Sequence, residues 1–424
     1  MTTAPTARSR LPAVRAPGTE RVLTGRLPLT CRIVSAQLVH KPAHHPLRCA
    51  GAIDAQAVSG RAVEARHRSG GVGVGSTGMT SATGPASAHD RRSASDATGV
   101  LVLAACAAWS LITAAVHGGR PEGVLLAVLA VAAGYAVGRI CGELLPVAVP
   151  GAGAFAGLGL AVAAPHMNPG SQVTSPLGQT GATAALLTLS AGAACCAAWA
   201  ARPPGLRLAL RLLAAGIAVT AAVLGSTSGL VACLGVLLCS LAADRMRRRA
   251  VGLGGLALAV ALVTGATWAT AENALPDGLA SSLEGQLTPH RVLLWHDALD
   301  MAAREPGLGV GPGRFAELSP TATQSLPPDG KPHSAPFQQA AEQGILGVVL
   351  LAAVFGWVLY ALWRSPRPTP LVLTAGAALT ALAAIASVGN ALSFTTVTAG
   401  AGLLAGLATA RPTPPAPTVP TPTG

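Results

Sequence analysis

Two side chains in this sequence have the chemistry to handle an anion and a proton. Arg291 lies in LTPHRVLLWHDALDMAAREPG (residues 287–307) and His333 in KPHSAPFQQAAEQGILG (residues 331–347). A guanidinium stays charged and offers a planar fork of N–H donors, while an imidazole exchanges its proton near neutral pH. The first stretch reads as a helix: Thr288 is a good N-cap, Pro289 suits the first helical position, and Pro306-Gly307 stops the run. Arg291 then sits in the first turn, where unpaired N–H groups and the helix dipole favour an anion. A solvated arginine on an amphipathic helix fits the same position. Val292, Trp295, Leu299 and Ala302 share one face, so the helix can lie on the membrane or pack on the bundle. Ser334-Ala335-Pro336 reads as the start of a second helix, with His333 just ahead of it; a lone surface histidine fits there too.

Other chemistries are poorly served. His290, His296 and His333 lack any metal-ligand spacing, and His290 and His296 point to different sides of one helix, so no metal is expected. GLGVGPG (residues 307–313) has no Gly-Lys-Ser/Thr and no preceding strand, so it reads as a tight turn and not as a phosphate loop. Asp297 and Asp300 could pair as in hydrolases that protonate a poor leaving group, but a solvated helix face explains them. None of the eight cysteines lies in these polar stretches and no CxxC occurs, so neither a disulfide framework nor a zinc site is expected. No cofactor is expected.

The elements that must position these residues are membrane spans. With 51% hydrophobic and only 11% charged residues, the chain could not cover a soluble surface, so an all-α polytopic membrane protein is expected. Ten candidate spans fall at about 98–117, 122–138, 144–165, 183–201, 206–225, 228–244, 250–269, 345–363, 370–388 and 391–410, each near the ~20 residues a bilayer needs. DRMRRRA (residues 244–250) marks the cytoplasmic side. With it inside, Arg139, Arg202, Arg207, Arg211, Arg364, Arg367 and Arg411 also fall inside, and both termini are cytoplasmic. Residues 270–344, between spans seven and eight, then form one large extracytoplasmic loop, and long loops are usually functional. Trp357, Tyr360 and Trp363 read as interfacial anchors.

Residues 1–97 carry thirteen Lys/Arg against five acids and no aromatic, which reads as a basic cytoplasmic tail and not as a nucleic-acid-binding face. A start at Met79 would omit most of it. Residues 411–424 form a Pro-rich cytoplasmic tail. The domain order is therefore tail (1–97), seven spans (98–269), loop (270–344), three spans (345–410) and tail.

An Arg-x-x-x-Trp helix, then EPGLGVGPGRF, then a histidine followed by FQQAAEQGILG at the start of a span, resembles the O-antigen ligase and polymerase superfamily of membrane glycosyltransferases. The resemblance covers Arg291 to Gly347. It implies a GT-C-like bundle in the cytoplasmic (inner) membrane, serving polysaccharide biosynthesis in the cell envelope. The implied activity is metal-independent transfer of a glycan from a polyprenyl pyrophosphate carrier to an acceptor hydroxyl, on another glycan or a different surface molecule. The implied partners are that donor, that acceptor and membrane lipid. Arg291 corresponds to the family's pyrophosphate-binding arginine, His333 to its proposed base, and Glu342 to the acidic position before Gly-x-x-Gly. In GSTSGLVACL (residues 225–234), Thr227 stands where the family carries another basic residue; Arg314 is the expected substitute.

Simple chemistry agrees with this reading. A lipid pyrophosphate leaves readily, so the site must supply positive charge for it and a base for the incoming hydroxyl. The loop holds nine acids against four bases, so function there must rest on placed arginines. A flippase or transporter of the lipid-linked glycan is the alternative, although such carriers place ionisable groups within spans. A non-catalytic family member also fits.

Overall fold

The computed structural model of the chain describes residues 85–167, 176–272, 289–324 and 330–411. Most of the expected N-terminal tail, the start at Met79, Thr288 and most of the Pro-rich tail lie outside them. Among the described residues the protein is all-helical. Chain order gives α1 (Pro85–His117), α2 (Glu122–Leu144), α3 (Ala148–Met167), α4 (Pro176–Ala200), α5 (Pro204–Val223), α6 (Thr227–Ala242) and α7 (Arg249–Ala271). Then come α8 (Pro289–Arg304), α9 (Phe315–Leu318), α10 (Pro320–Gln324), α11 (Ala335–Arg364), α12 (Thr369–Val388) and α13 (Thr395–Thr409). The chain is a polytopic integral membrane protein: eight of these helices are long and apolar enough to cross a bilayer.

Each of the ten expected spans contains a helix, but α13 is short, running only over Thr395–Thr409. At 15 residues α13 is about 22 Å long, less than the ~30 Å hydrocarbon core. Its expected start at 391 is taken instead by a 3-10 turn, Ala391–Ser393. At the other extreme, α1 begins at Pro85, within the segment expected as tail, and Ser95 is already buried.

Helices α4 and α12 form the centre of the bundle, and their Ala, Leu and Val side chains make most of its core. Helix α13 lies against α2 through small residues. Gly134 and Gly138 of α2 face Gly402 and Gly406 of α13, and a methyl on any of them would collide with backbone of the opposite helix. Without a hydrophobic driving force in lipid, such close backbone approach is what holds helices together. Gly138→Val should therefore part the two helices, costing about 1–3 kcal/mol or more as overpacking does. A lowered thermal midpoint in detergent, with the Arg291-containing loop helix still in place, is the expected reading.

The arginine-rich connections converge at one end of the bundle. There Arg367 is buried and donates from Nε to the Ala410 carbonyl (3.0 Å) and from Nη2 to the Gly142 carbonyl (2.5 Å). Arg249 bonds the Ser365 carbonyl at 2.6 Å. These guanidiniums satisfy carbonyls that helix ends leave unpaired. Arg139 pairs with Asp96 (2.8 Å) beside Tyr135, whose ring packs on Trp357. Trp357 is thus not the interfacial anchor expected of it: it is 4% exposed, and its indole N–H bonds the Ser95 carbonyl at 3.0 Å. Trp363 remains exposed.

Candidate functional site

At the opposite end the polar segments close over the helix tips. Among the described residues helix α8 runs from Pro289, and it stops before Pro306-Gly307 as its sequence requires. Its buried face is Leu294, Trp295, Ala298 and Met301, packed on Phe315, Ala322, Phe337 and Ala341. Of the face expected from sequence, Trp295 is at the centre and Leu299 at the edge; Val292 and Ala302 are half-buried. The difference is a rotation of the helix toward α11. Trp295 and Trp268 flank Phe337, with ring centroids 5.3 and 5.1 Å away, so aromatic contacts fix α8 against the start of α11.

Arg291 is half-buried in the first turn of α8 and donates from Nη1 to the Val388 carbonyl (3.0 Å), at the last residue of α12. One turn on, the Trp295 indole N–H donates to the Pro332 carbonyl at 2.8 Å. The next residue is His333, which is 5% exposed and not the surface histidine that its position also allowed. His333 has φ +50, the one described non-glycine residue on that side of the φ axis. Such left-handed residues are uncommon and gather where function over-determines the backbone. One helix therefore touches both the end of α12 and the segment that carries His333.

Glu342 lies on α11 with its side chain 3% exposed. Gln338 donates to it at 3.3 Å, the backbone amides of Gly313 and Phe315 face it, and the Lys331 ammonium acts on it electrostatically. Burial pushes the Lys331 ammonium below its ordinary pKa, against the upward pull of Glu342. The contacts of this carboxylate run to the protein's own loop, where a substrate-binding role was expected. Arg314 likewise turns inward, donating to the His117 carbonyl (2.9 Å) at the end of α1. Thr227 is exposed in the first turn of α6, and the preceding Ser226 caps that helix through the Gly229 amide. Thus the structure brings Arg291 and the His333 segment together on α8. It ties Arg314 and Glu342 to the glycine-rich loop and leaves Thr227 on a separate helix tip.

That loop is the feature sequence reasoning missed. Helix α11 is broken at Gly344 (φ +69, ψ −165), which frees backbone groups on either side. The carbonyls of Ala341 and Glu342 accept from the amides of Val310 (2.9 Å) and Gly311 (3.0 Å), and the Ile345 amide donates to the Pro306 carbonyl (3.0 Å). The Gln343 carbonyl accepts from the Trp109 indole of α1 at 3.0 Å. GLGVG is thus more than a turn: it supplies the hydrogen bonds the broken helix lacks. The signal was present as a Gly-x-x-Gly inside a helical pattern.

The acids are structural or exposed. Asp297 accepts from the Ser319 hydroxyl (2.5 Å) and the Thr321 amide (3.1 Å), so it caps α10 where a solvated face was expected. Asp300 is exposed. Among the described residues no three His, Cys, Asp or Glu side chains converge as a metal site requires.

Residues 212–352 match the family described as O-antigen ligase. That span holds Thr227, Arg291, Arg314, His333 and Glu342. No curated protein and no solved structure matches the chain. The helical bundle, the loop helix with its arginine and the match over 212–352 lead to one conclusion: within this membrane protein, residues 212–352 are similar to the O-antigen ligase family.

Proposed function

We propose that the protein transfers a glycan from a polyprenyl pyrophosphate carrier to an acceptor hydroxyl at the outer face of the cytoplasmic membrane. The arginine-rich end faces the cytoplasm and the α8 end faces out, in line with the charge bias of membrane topology. Arg291 binds the pyrophosphate. His333 takes the proton of the acceptor hydroxyl as its oxygen attacks the anomeric carbon. The bond from that carbon to the pyrophosphate oxygen breaks, and the carrier leaves as the diphosphate held by the guanidinium. Glu342 and Arg314 hold the loop in place. With His333 at 5% exposure, the acceptor must part the loop to reach it, and bulk water is kept from competing.

The observation that carries this reading is the single helix bearing Arg291 and, one turn later, the tryptophan bound to the residue before His333. The central helices α4 and α12 contain no charged residue, which favours chemistry at the membrane surface over carriage through the bundle.

The test is transfer by purified protein supplied with candidate polyprenyl-pyrophosphate glycans, with and without chelator. Product is expected in both conditions, and its length separates chain polymerisation from a single ligation. Arg291→Lys should keep the charge but lose the paired geometry, lowering kcat/KM by about tenfold to a hundredfold. Product formed only with added divalent metal would overturn the metal-free scheme.

A further inference from the structure

We propose that Trp295 is a positioning residue: its indole N–H, by holding the Pro332 carbonyl, sets the backbone of His333 and keeps the imidazole in register with Arg291. This rests on the function proposed above for those two residues. The Pro332 carbonyl and the His333 amide share one peptide plane, so fixing the carbonyl fixes one side of the His333 backbone. On the other side, Ser334 is the N-cap of α11 and its carbonyl accepts the Gln338 amide at 2.9 Å. With both neighbours held, His333 is left at φ +50, a conformation uncommon among non-glycine residues.

The restraint comes from a rigid body. The Trp295 side chain is fully buried, and Phe337, two residues into α11, packs against its ring. Arg291 and Trp295 are four residues apart and so lie on one face of α8. Any shift of α8 along its axis moves the pyrophosphate-binding group and the holder of the base together. The Arg-x-x-x-Trp spacing thereby acts as a ruler between the two halves of the site.

The experiment uses the full chain in lipid nanodiscs, with Trp295→Phe and a variant carrying 3-benzothienylalanine at position 295. The second keeps the bicyclic shape and removes only the N–H, so it serves if the phenylalanine variant fails to fold. Diethyl pyrocarbonate labelling of each histidine is read by peptide mass spectrometry, alongside kcat and KM for transfer. The expected result is a several-fold rise in labelling at His333, with His290 on the same helix unchanged. Turnover should fall about tenfold to a hundredfold with KM for the donor unaltered, as misplacing a reacting group does.

If wild-type protein transfers glycan in a His333-dependent way, wild-type values of either labelling or kcat in the benzothienyl variant overturn the positioning role and leave the proposed function standing. If wild-type protein transfers nothing, that function fails, and labelling alone decides whether Trp295 holds His333.

Discussion

His333→Asn should lose glycan transfer and keep its fold. Asparagine is among the few residues that accept a left-handed backbone, so the φ of +50 at this position is no obstacle to it. It is smaller than histidine but retains hydrogen-bonding capacity, and it cannot take a proton at neutral pH. Removing a general base costs about 10²–10⁴-fold in turnover, and that is the loss expected in kcat. His333→Ala confounds the two effects, because alanine at positive φ adds strain of about 1–3 kcal/mol at a buried site. Its thermal midpoint should fall, while that of His333→Asn stays near wild type. The measurement is single-turnover transfer with purified protein, paired with thermal unfolding in the same detergent. Wild-type turnover in His333→Asn would remove the proposed base. A collapse of its thermal midpoint would make the histidine structural instead.

Much of this architecture was legible because hydrophobic length is read directly from composition. Eight spans needed only apolar runs bounded by arginine or glycine. Helix α13 was overestimated because Ala- and Gly-rich sequence stays apolar past the end of the helix, as at Ala391–Ser393. Helix α8 was legible at its end, from Pro306, which stops it independently of what it packs on. Its orientation was not, since Leu294, Ala298 and Met301 make as plausible an apolar face as Val292, Leu299 and Ala302. Only Phe337 and Phe315, brought in from distant sequence, decide between them. The candidate site divides in the same way. Arg291 and His333 announce themselves by residue type. The inward contacts of Arg314 and Glu342 depend on where GLGVG lies, which no local pattern specifies. Trp357 shows the limit most plainly, because an aromatic near a span's end suits either lipid headgroups or a neighbouring helix, and here the Ser95 carbonyl claims it.

Gly309→Ala and Gly344→Ala should each dismantle the junction between the loop and α11, whereas Gly307→Ala should be silent. A Cβ at Gly309 would sit 2.5 Å from the Gln343 nitrogen and the Glu342 carbonyl carbon. One at Gly344 would sit 2.6 Å from the Gly307 and Pro306 carbonyl oxygens. These obstacles are backbone on both sides, so no side chain can turn aside to make room. Both glycines also have positive φ, and the Gly344 pair of angles (φ +69, ψ −165) is one that essentially only glycine adopts. Relief requires separation, which breaks the bonds from Val310, Gly311 and Ile345 across the junction. Three such bonds at about 0.5–1.5 kcal/mol each, with left-handed strain of about 1–3, amount to roughly 3–7 kcal/mol. That is comparable with the whole stability of a typical domain, about 5–15 kcal/mol. At Gly307 a Cβ meets nothing within 4 Å, so its substitution should stay within about 0.5 kcal/mol of wild type. Limited proteolysis of membranes would read the difference as cleavage between α8 and α11 in the two damaging variants only. If the Gly344→Ala variant instead straightens α11 at this position, the Gln343 carbonyl turns away from the Trp109 indole, and a changed tryptophan fluorescence should accompany loss of transfer. Equal protease resistance in all three variants would mean that the loop does not brace the broken helix. The support for Glu342 and for the segment leading to His333 would then have to come from elsewhere.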